Sequence, residues 1–131
     1  MNCFMGARDQ DLWPIPDTAA DYIPFYVKDS DLPRPSDLWV LLDEDERSIN
    51  DGFFETDPTG RIWFDLPAMS SHRHNFSFSL DFADGHSEIW RLKDPSSFLV
   101  SRTATAQAGN TDLQRLAQAT ATPRESASNI R

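Results

Sequence analysis

The sequence is short of cysteine, glycine and positive charge, and each shortage removes a class of answer. One cysteine in 131 residues, Cys3, allows no intramolecular disulfide and cannot supply a thiolate zinc cluster by itself. The five glycines show neither phosphate-loop nor Gly-x-Gly-x-x-Gly spacing, and no Gly-x-Ser-x-Gly frames a serine nucleophile. Lys and Arg number 12 against 21 Asp and Glu, a net charge of −9 that nucleic acid or an anionic membrane surface repels. No apolar run approaches the roughly 18 residues of a membrane span. The start, Met1-Asn2-Cys3-Phe4-Met5-Gly6, lacks the charged-then-apolar layout of a signal peptide. A soluble single domain is the expectation.

What is present is unevenly spread. All 15 aromatic residues lie between Phe4 and Phe98. Of the last 31 residues, 18 are Ala, Thr, Ser or Gln, a composition that buries too little to offset chain entropy. The sequence therefore divides into a body, residues 1–100, and a polar, mostly flexible tail, 101–131. A short helix at 111–119 has Thr111 as its N-cap and Leu113 and Leu116 on one face. On this reading, ending the chain after Val100 costs little stability. Acidity belongs to the first half: residues 9–57 hold 14 acids and 3 bases. Five of the nine prolines also fall there and Pro58 follows directly, so residues 9–36 are expected as extended, turn-rich chain.

Strands are clearest in the second half. Phe76-Ser77-Phe78-Ser79-Leu80-Asp81-Phe82-Ala83 alternates apolar and polar, Asp84-Gly85 supplies a two-residue turn, and His86-Ser87-Glu88-Ile89-Trp90-Arg91-Leu92-Lys93 returns. That register sets Leu80 opposite Ile89 and the like charges Asp81 and Glu88 opposite each other. Phe76, Phe78, Leu80, Phe82 and Ile89 then share one face. Trp90 and Leu92 sit on the other, as an exposed apolar interaction surface. Further strands are expected at 37–43, 61–65 and 52–54. The predicted class is α+β: a small, meandering antiparallel sheet with a hairpin at Asp84-Gly85, few short helices and a Pro-rich N-terminal segment.

Three groups of side chains invite chemistry. Residues 43–52, Asp-Glu-Asp-Glu-Arg-Ser-Ile-Asn-Asp-Gly, offer oxygens to a hard cation through Asp43, Asp45, Asn50 and Asp51, although the spacing is not that of an EF-hand. Calcium competes here with a solvated acidic turn. His72, His74 and His86 suggest zinc, but a strand of nearly 30 Å separates the ends of their segment, and a structural role for His74 is preferred. Paired carboxylates at Asp81 and Glu88 suggest acid-base work, with no recognisable cleft around them.

Two stretches carry more than periodicity. His74, nine residues, then Asp84-Gly85-His86-Ser87-Glu88 resembles the His-x9-Asp-Gly signature of prepilin-type proteins. Pro35-Ser36-Asp37-Leu38-Trp39-Val40-Leu41-Leu42-Asp43-Glu44, Ser48-Ile49-Asn50-Asp51-Gly52-Phe53-Phe54 and Trp63-Phe64-Asp65-Leu66-Pro67-Ala68 are similar to the same family's preceding segments. The family is that of the type II secretion pseudopilin-like proteins, and the resemblance covers the head region, roughly 1–123. It implies a non-enzymatic assembly subunit, exported to the periplasm or cell surface. Its partners would be other pseudopilin-like subunits or further copies of itself, and it adds weight to calcium in the head. The prepilin helix is missing from this sequence, so membrane attachment is not implied for it. Met1-Asn2 stands at an internal family position, which suggests a head fragment or truncated gene model. Phe76 stands where the family commonly has glycine. The competing class is a small acidic metal- or carbohydrate-binding module or enzyme.

Overall fold

The computed structural model describes residues 1–2, 22–23, 34–50, 52–69, 74–120 and 122–123. The Pro-rich stretch anticipated at 9–36 lies almost wholly outside them, as do Asp51 and His72. Among these residues seven short strands, one 3₁₀ turn and one helix follow in the order β1 (Tyr22–Ile23), β2 (Trp39–Leu42), β3 (Ile62–Trp63), β4 (Ser77–Phe82), β5 (Ser87–Arg91), the turn Pro95–Leu99, β6 (Thr105–Ala106), α1 (Thr111–Gln118) and β7 (Thr122–Pro123). The class is α+β and mostly sheet. Every strand pair is antiparallel, but there is no single meander: β2-β4-β5 form one sheet, while β1 pairs with β7 and β3 with β6. Phe54, expected in a short strand of its own, makes an isolated parallel bridge with Asn2.

Alternation puts Phe78, Leu80 and Phe82 of β4 in the core and leaves Ser79 and Asp81 exposed. The return strand is one residue out of the expected register. Only Gly85 of the Asp84-Gly85 pair has a positive φ, 95°, whereas a two-residue type I′ turn needs it at both central positions. The chain instead reverses over Ala83, Asp84 and Gly85, closed by Phe82 N–H to His86 O (2.8 Å) and Gly85 N–H to Phe82 O (2.9 Å). Leu80 therefore faces Glu88, Asp81 faces Ser87 and Phe78 faces Trp90.

A slip of one residue turns every β5 side chain to the opposite face. Trp90 and Leu92, expected on an exposed interaction surface, are buried at 7% and 3% exposure. Ile89, expected in the core, is 77% exposed. The anticipated clash of Asp81 with Glu88 does not arise, because Ser87 Oγ donates to Asp81 Oδ1 at 2.6 Å.

The second correction concerns the polar tail. Helix α1 packs into the core through Leu113 (1% exposed) and Leu116 (0%), with Ala117 and Ala119 also buried. Its N-cap is Asn110, one residue before the expected Thr111. Small residues on the docked face let α1 approach closely. Gly60, at φ 71°, lies under it where a Cβ would stand 3.2 Å from Gln114 Cα. Around these leucines gather Trp39, Phe54, Trp63, Leu66, Phe78 and Leu80. Polar closure comes from Trp39 Nε1, which donates to Thr120 Oγ1, and from Asn2 Nδ2, which donates to the carbonyls of Trp39 and Thr120, all at 2.9 Å. The flexible-tail expectation therefore fails for residues 105–120: the core does not end at Val100.

Candidate functional site

Asp84, His86 and Glu88 meet at the β4–β5 turn, and they bind one another. His86 Nδ1 bonds Asp84 Oδ1, and its Nε2 lies 2.7 Å from Glu88 Oε2. Glu88 Oε1 accepts from Trp90 Nε1 at 3.0 Å, and the His86 ring stacks on Phe82 at 4.5 Å with 9° between planes. Arg115 of α1 covers the Trp90 ring at 3.9 Å, a cation–π contact that ties the helix to the hairpin. His86 and Glu88 share a side because they are two apart on extended chain, and the turn brings Asp84 back to the His86 ring.

His74 stands apart from that cluster. Its Nε2 lies 3.3 Å from Asp43 Oδ2, and its carbonyl accepts from Ser77 N–H, so it ties the start of β4 to the end of β2. His74, Asn75 and Phe76 run through φ of 55°, 51° and 59°. That conformation is uncommon for a bulky side chain, and it falls at the position where the resembling family has glycine. Phe76 is held there by an edge-on contact with Phe98, ring centroids 4.8 Å apart.

In the acidic turn, Asp45 is 7% exposed and gives both carboxylate oxygens to Arg47, from Nε and Nη2 at 2.9 Å each. The hydrogen bond from Asp45 raises the already high Arg47 pKa, so the pair stays ionic. Asp43 faces His74, Asn50 is exposed, and Asp51 lies outside the described residues. Among the described residues no three His, Cys, Asp or Glu side chains are grouped to hold a metal. Beside Arg47 opens a cleft of about 310 Å³ lined by Ser48, Asn50, Glu55, Asp65 and Thr103 among others. Sequence reasoning missed this cleft, since residues 47, 55, 65 and 103 are brought together only by tertiary folding.

A polar network joining the 3₁₀ turn to α1 also escaped the sequence reading. Asp94 caps the 3₁₀ turn by accepting from Ser96 N–H and reaches across to Thr111 N–H. Asp112 accepts from the amides of Lys93 and Asp94 and from Ser97 Oγ. The one available signal was Asn-Thr-Asp-Leu at 110–113, a stronger capping pattern from Asn than from Thr.

These contacts set a pH dependence. Glu88 first and Asp84 second raise the His86 pKa above its usual 6.5. That contribution to stability is complete below 6.5 and is lost as pH rises through the raised value. His86 in turn lowers Glu88 and Asp84 from 4.5 and 3.8, and their contribution is lost as pH falls below the usual carboxylate range. Asp94, lowered to about 2 by the Thr111 amide and by Ser96, behaves in the same way between 3.8 and about 2. The His86→Ala variant should thus lose the most Tm relative to wild type between about pH 5 and 6, and less as pH rises through the raised His86 value. Melting curves across pH check this; a difference that is flat with pH would mean that the triad does not titrate with folding.

Comparison with family models, curated proteins and solved structures finds no match for this chain.

Proposed function

We propose that this protein is a non-enzymatic assembly subunit, the head domain of a pseudopilin-like protein of a type II secretion or pilus-like system, working in the periplasm or at the cell surface. One observation carries the reading: the residues of the His-x9-Asp-Gly resemblance are spent on architecture. His86 is clamped between Asp84 and Glu88, Glu88 holds the Trp90 indole, and His74 holds Asp43. A hairpin fixed in this way presents a sheet with a stable outer face, which is what a subunit that docks through its surface requires. The partners are other pseudopilin-like subunits or further copies of this chain.

The cleft beside Arg47 favours a second reading, a small acidic module or enzyme that binds a metal or carbohydrate. Calcium at Asp43, Asp45, Asn50 and Asp51 belongs to this reading, and it requires Arg47 to release Asp45.

Two measurements separate the readings. Cross-linking in the native cell envelope should join the protein to its own copies or to other pseudopilin-like subunits. Thermal shift with millimolar calcium and with oligosaccharides should leave Tm unchanged. A ligand that binds only the folded state stabilises by RT ln(1 + [L]/Kd), so a saturable rise in Tm, without cross-linked species, overturns the assembly reading. Asp43→Asn is the cleaner variant to abolish a calcium response, since Asp45→Asn also frees the Arg47 guanidinium.

A further inference from the structure

The β2-β4-β5 sheet has two edges, and the chain treats them differently. The β2 edge is covered: Trp39 N–H donates to Ala119 O at 3.0 Å, and Val40 O accepts from Asn2 N–H at 2.8 Å. At β5 nothing equivalent occurs. In the observed register, Phe82–His86, Leu80–Glu88, Phe78–Trp90 and Phe76–Leu92 are the hydrogen-bonded pairs, as the Phe82-to-His86 and Leu92-to-Phe76 bonds show. The intervening residues Ser87, Ile89 and Arg91 turn their N–H and C=O groups outward. Among the described residues no group bonds to them on that side. Their side chains are exposed as well, and Ile89, at 77% exposure, is the middle one. An open edge of this kind, carrying an apolar side chain and no proline, is a template for another strand.

We infer that the occupant is β5 of a second copy, paired antiparallel about a two-fold axis through Ile89. This rests on the assembly reading and names the surface through which it acts. The strand is complementary to itself. A two-fold at Ile89 brings the outward amides of Ser87, Ile89 and Arg91 into register with Arg91, Ile89 and Ser87 of the copy, so each outward N–H and C=O gains a partner. The two exposed isoleucines meet at the centre. Charge agrees with this register: Arg91 stands at one end of the pairing with Lys93 beyond it, and acidic residues, Asp81 and Asp84, lie towards the other. Arg91 comes opposite the copy's Ser87, whose hydroxyl is bonded to Asp81, and it has no ion-pair partner of its own among the described residues. A parallel pairing would instead set Arg91 beside Arg91.

Sedimentation equilibrium of the full chain, up to roughly 0.5 mM, reads the dimer directly. The wild type should associate reversibly. Ile89→Lys places two like charges on the axis, and Ile89→Pro removes an outward N–H that the fold itself does not use; each should raise Kd by about tenfold or more with circular dichroism unchanged. Arg91→Asp should weaken association, and adding Asp81→Arg should restore it. A strictly monomeric wild type overturns the inference. So does a dimer indifferent to all the β5 variants, and in that case the assembly reading survives on another surface. Failure of the assembly reading looks different: no cross-linked species in the envelope together with a ligand-dependent rise in Tm.

Discussion

Ending the chain after Val100 will abolish the cooperative thermal transition. The cut removes Leu113 and Leu116, both fully buried, and the β6 partner of β3. Truncating one such leucine to alanine costs about 2–5 kcal/mol, and a domain of this size has only about 5–15 kcal/mol in total. Polar losses add to the apolar ones. Trp39 Nε1 loses Thr120 Oγ1, Trp63 Nε1 loses Gln107 Oε1, and Trp39 N–H loses Ala119 O, leaving buried donors without acceptors. Calorimetry on the chain ending at Val100 should show no sharp endotherm. A transition within a few degrees of wild type, equivalent to about 1 kcal/mol, would mean that the helix contributes nothing to the core.

That outcome reverses what composition suggests, and the reason is physical. A run of Ala, Thr, Ser and Gln reads as unable to offset its own entropy, but docking is decided by a few positions on one face. Leu113, Leu116, Ala117 and Ala119 form that face, and the small residues among them let the leucines reach Trp39 and Trp63. The helix itself was legible in its capping and spacing; its burial was not, because nothing local says which surface will receive it. The hairpin divides in the same way. Alternation in residues 76–82 gave β4 and its buried face correctly. The return strand depended on whether Asp84 takes a positive φ, a choice of one dihedral that exchanged Trp90 for Ile89 on the outside. At the site, Asp84, His86 and Glu88 were legible as a spacing. The links from Asp45 to Arg47, from His74 to Asp43 and from Arg115 to Trp90 depend on side-chain direction and tertiary packing that spacing alone does not fix.

Asn110→Ala will be the most damaging single polar substitution, more so than any change at the exposed triad. Asn110 is 2% exposed and sits where the 3₁₀ turn, the β6 strand and α1 meet. Its Oδ1 accepts from Asp112 N–H at 2.8 Å and Leu113 N–H at 3.1 Å, which caps α1. Its Nδ2 donates to Gln107 Oε1 at 2.8 Å and to the hydroxyls of Ser96 and Ser97 at 3.1 and 3.0 Å. Loss of an N-cap costs about 0.5–2 kcal/mol, and stranding a buried partner adds about 1–3 kcal/mol, so a total near 3 kcal/mol is expected. Asn110→Asp divides the two functions. It keeps the acceptor that caps the helix and suits the helix dipole, but it removes the amide donor and sets a third carboxylate beside Asp94 and Asp112. Its loss should therefore be close to that of alanine at neutral pH and should shrink below pH 4, where the introduced carboxyl, once protonated, can again donate, although Asp94 is then also losing its own contribution. Denaturant titrations of the three proteins at pH 7 and at about pH 3 measure this. Equal, pH-independent losses in both variants would show that the cap alone matters and that the network around Nδ2 contributes nothing.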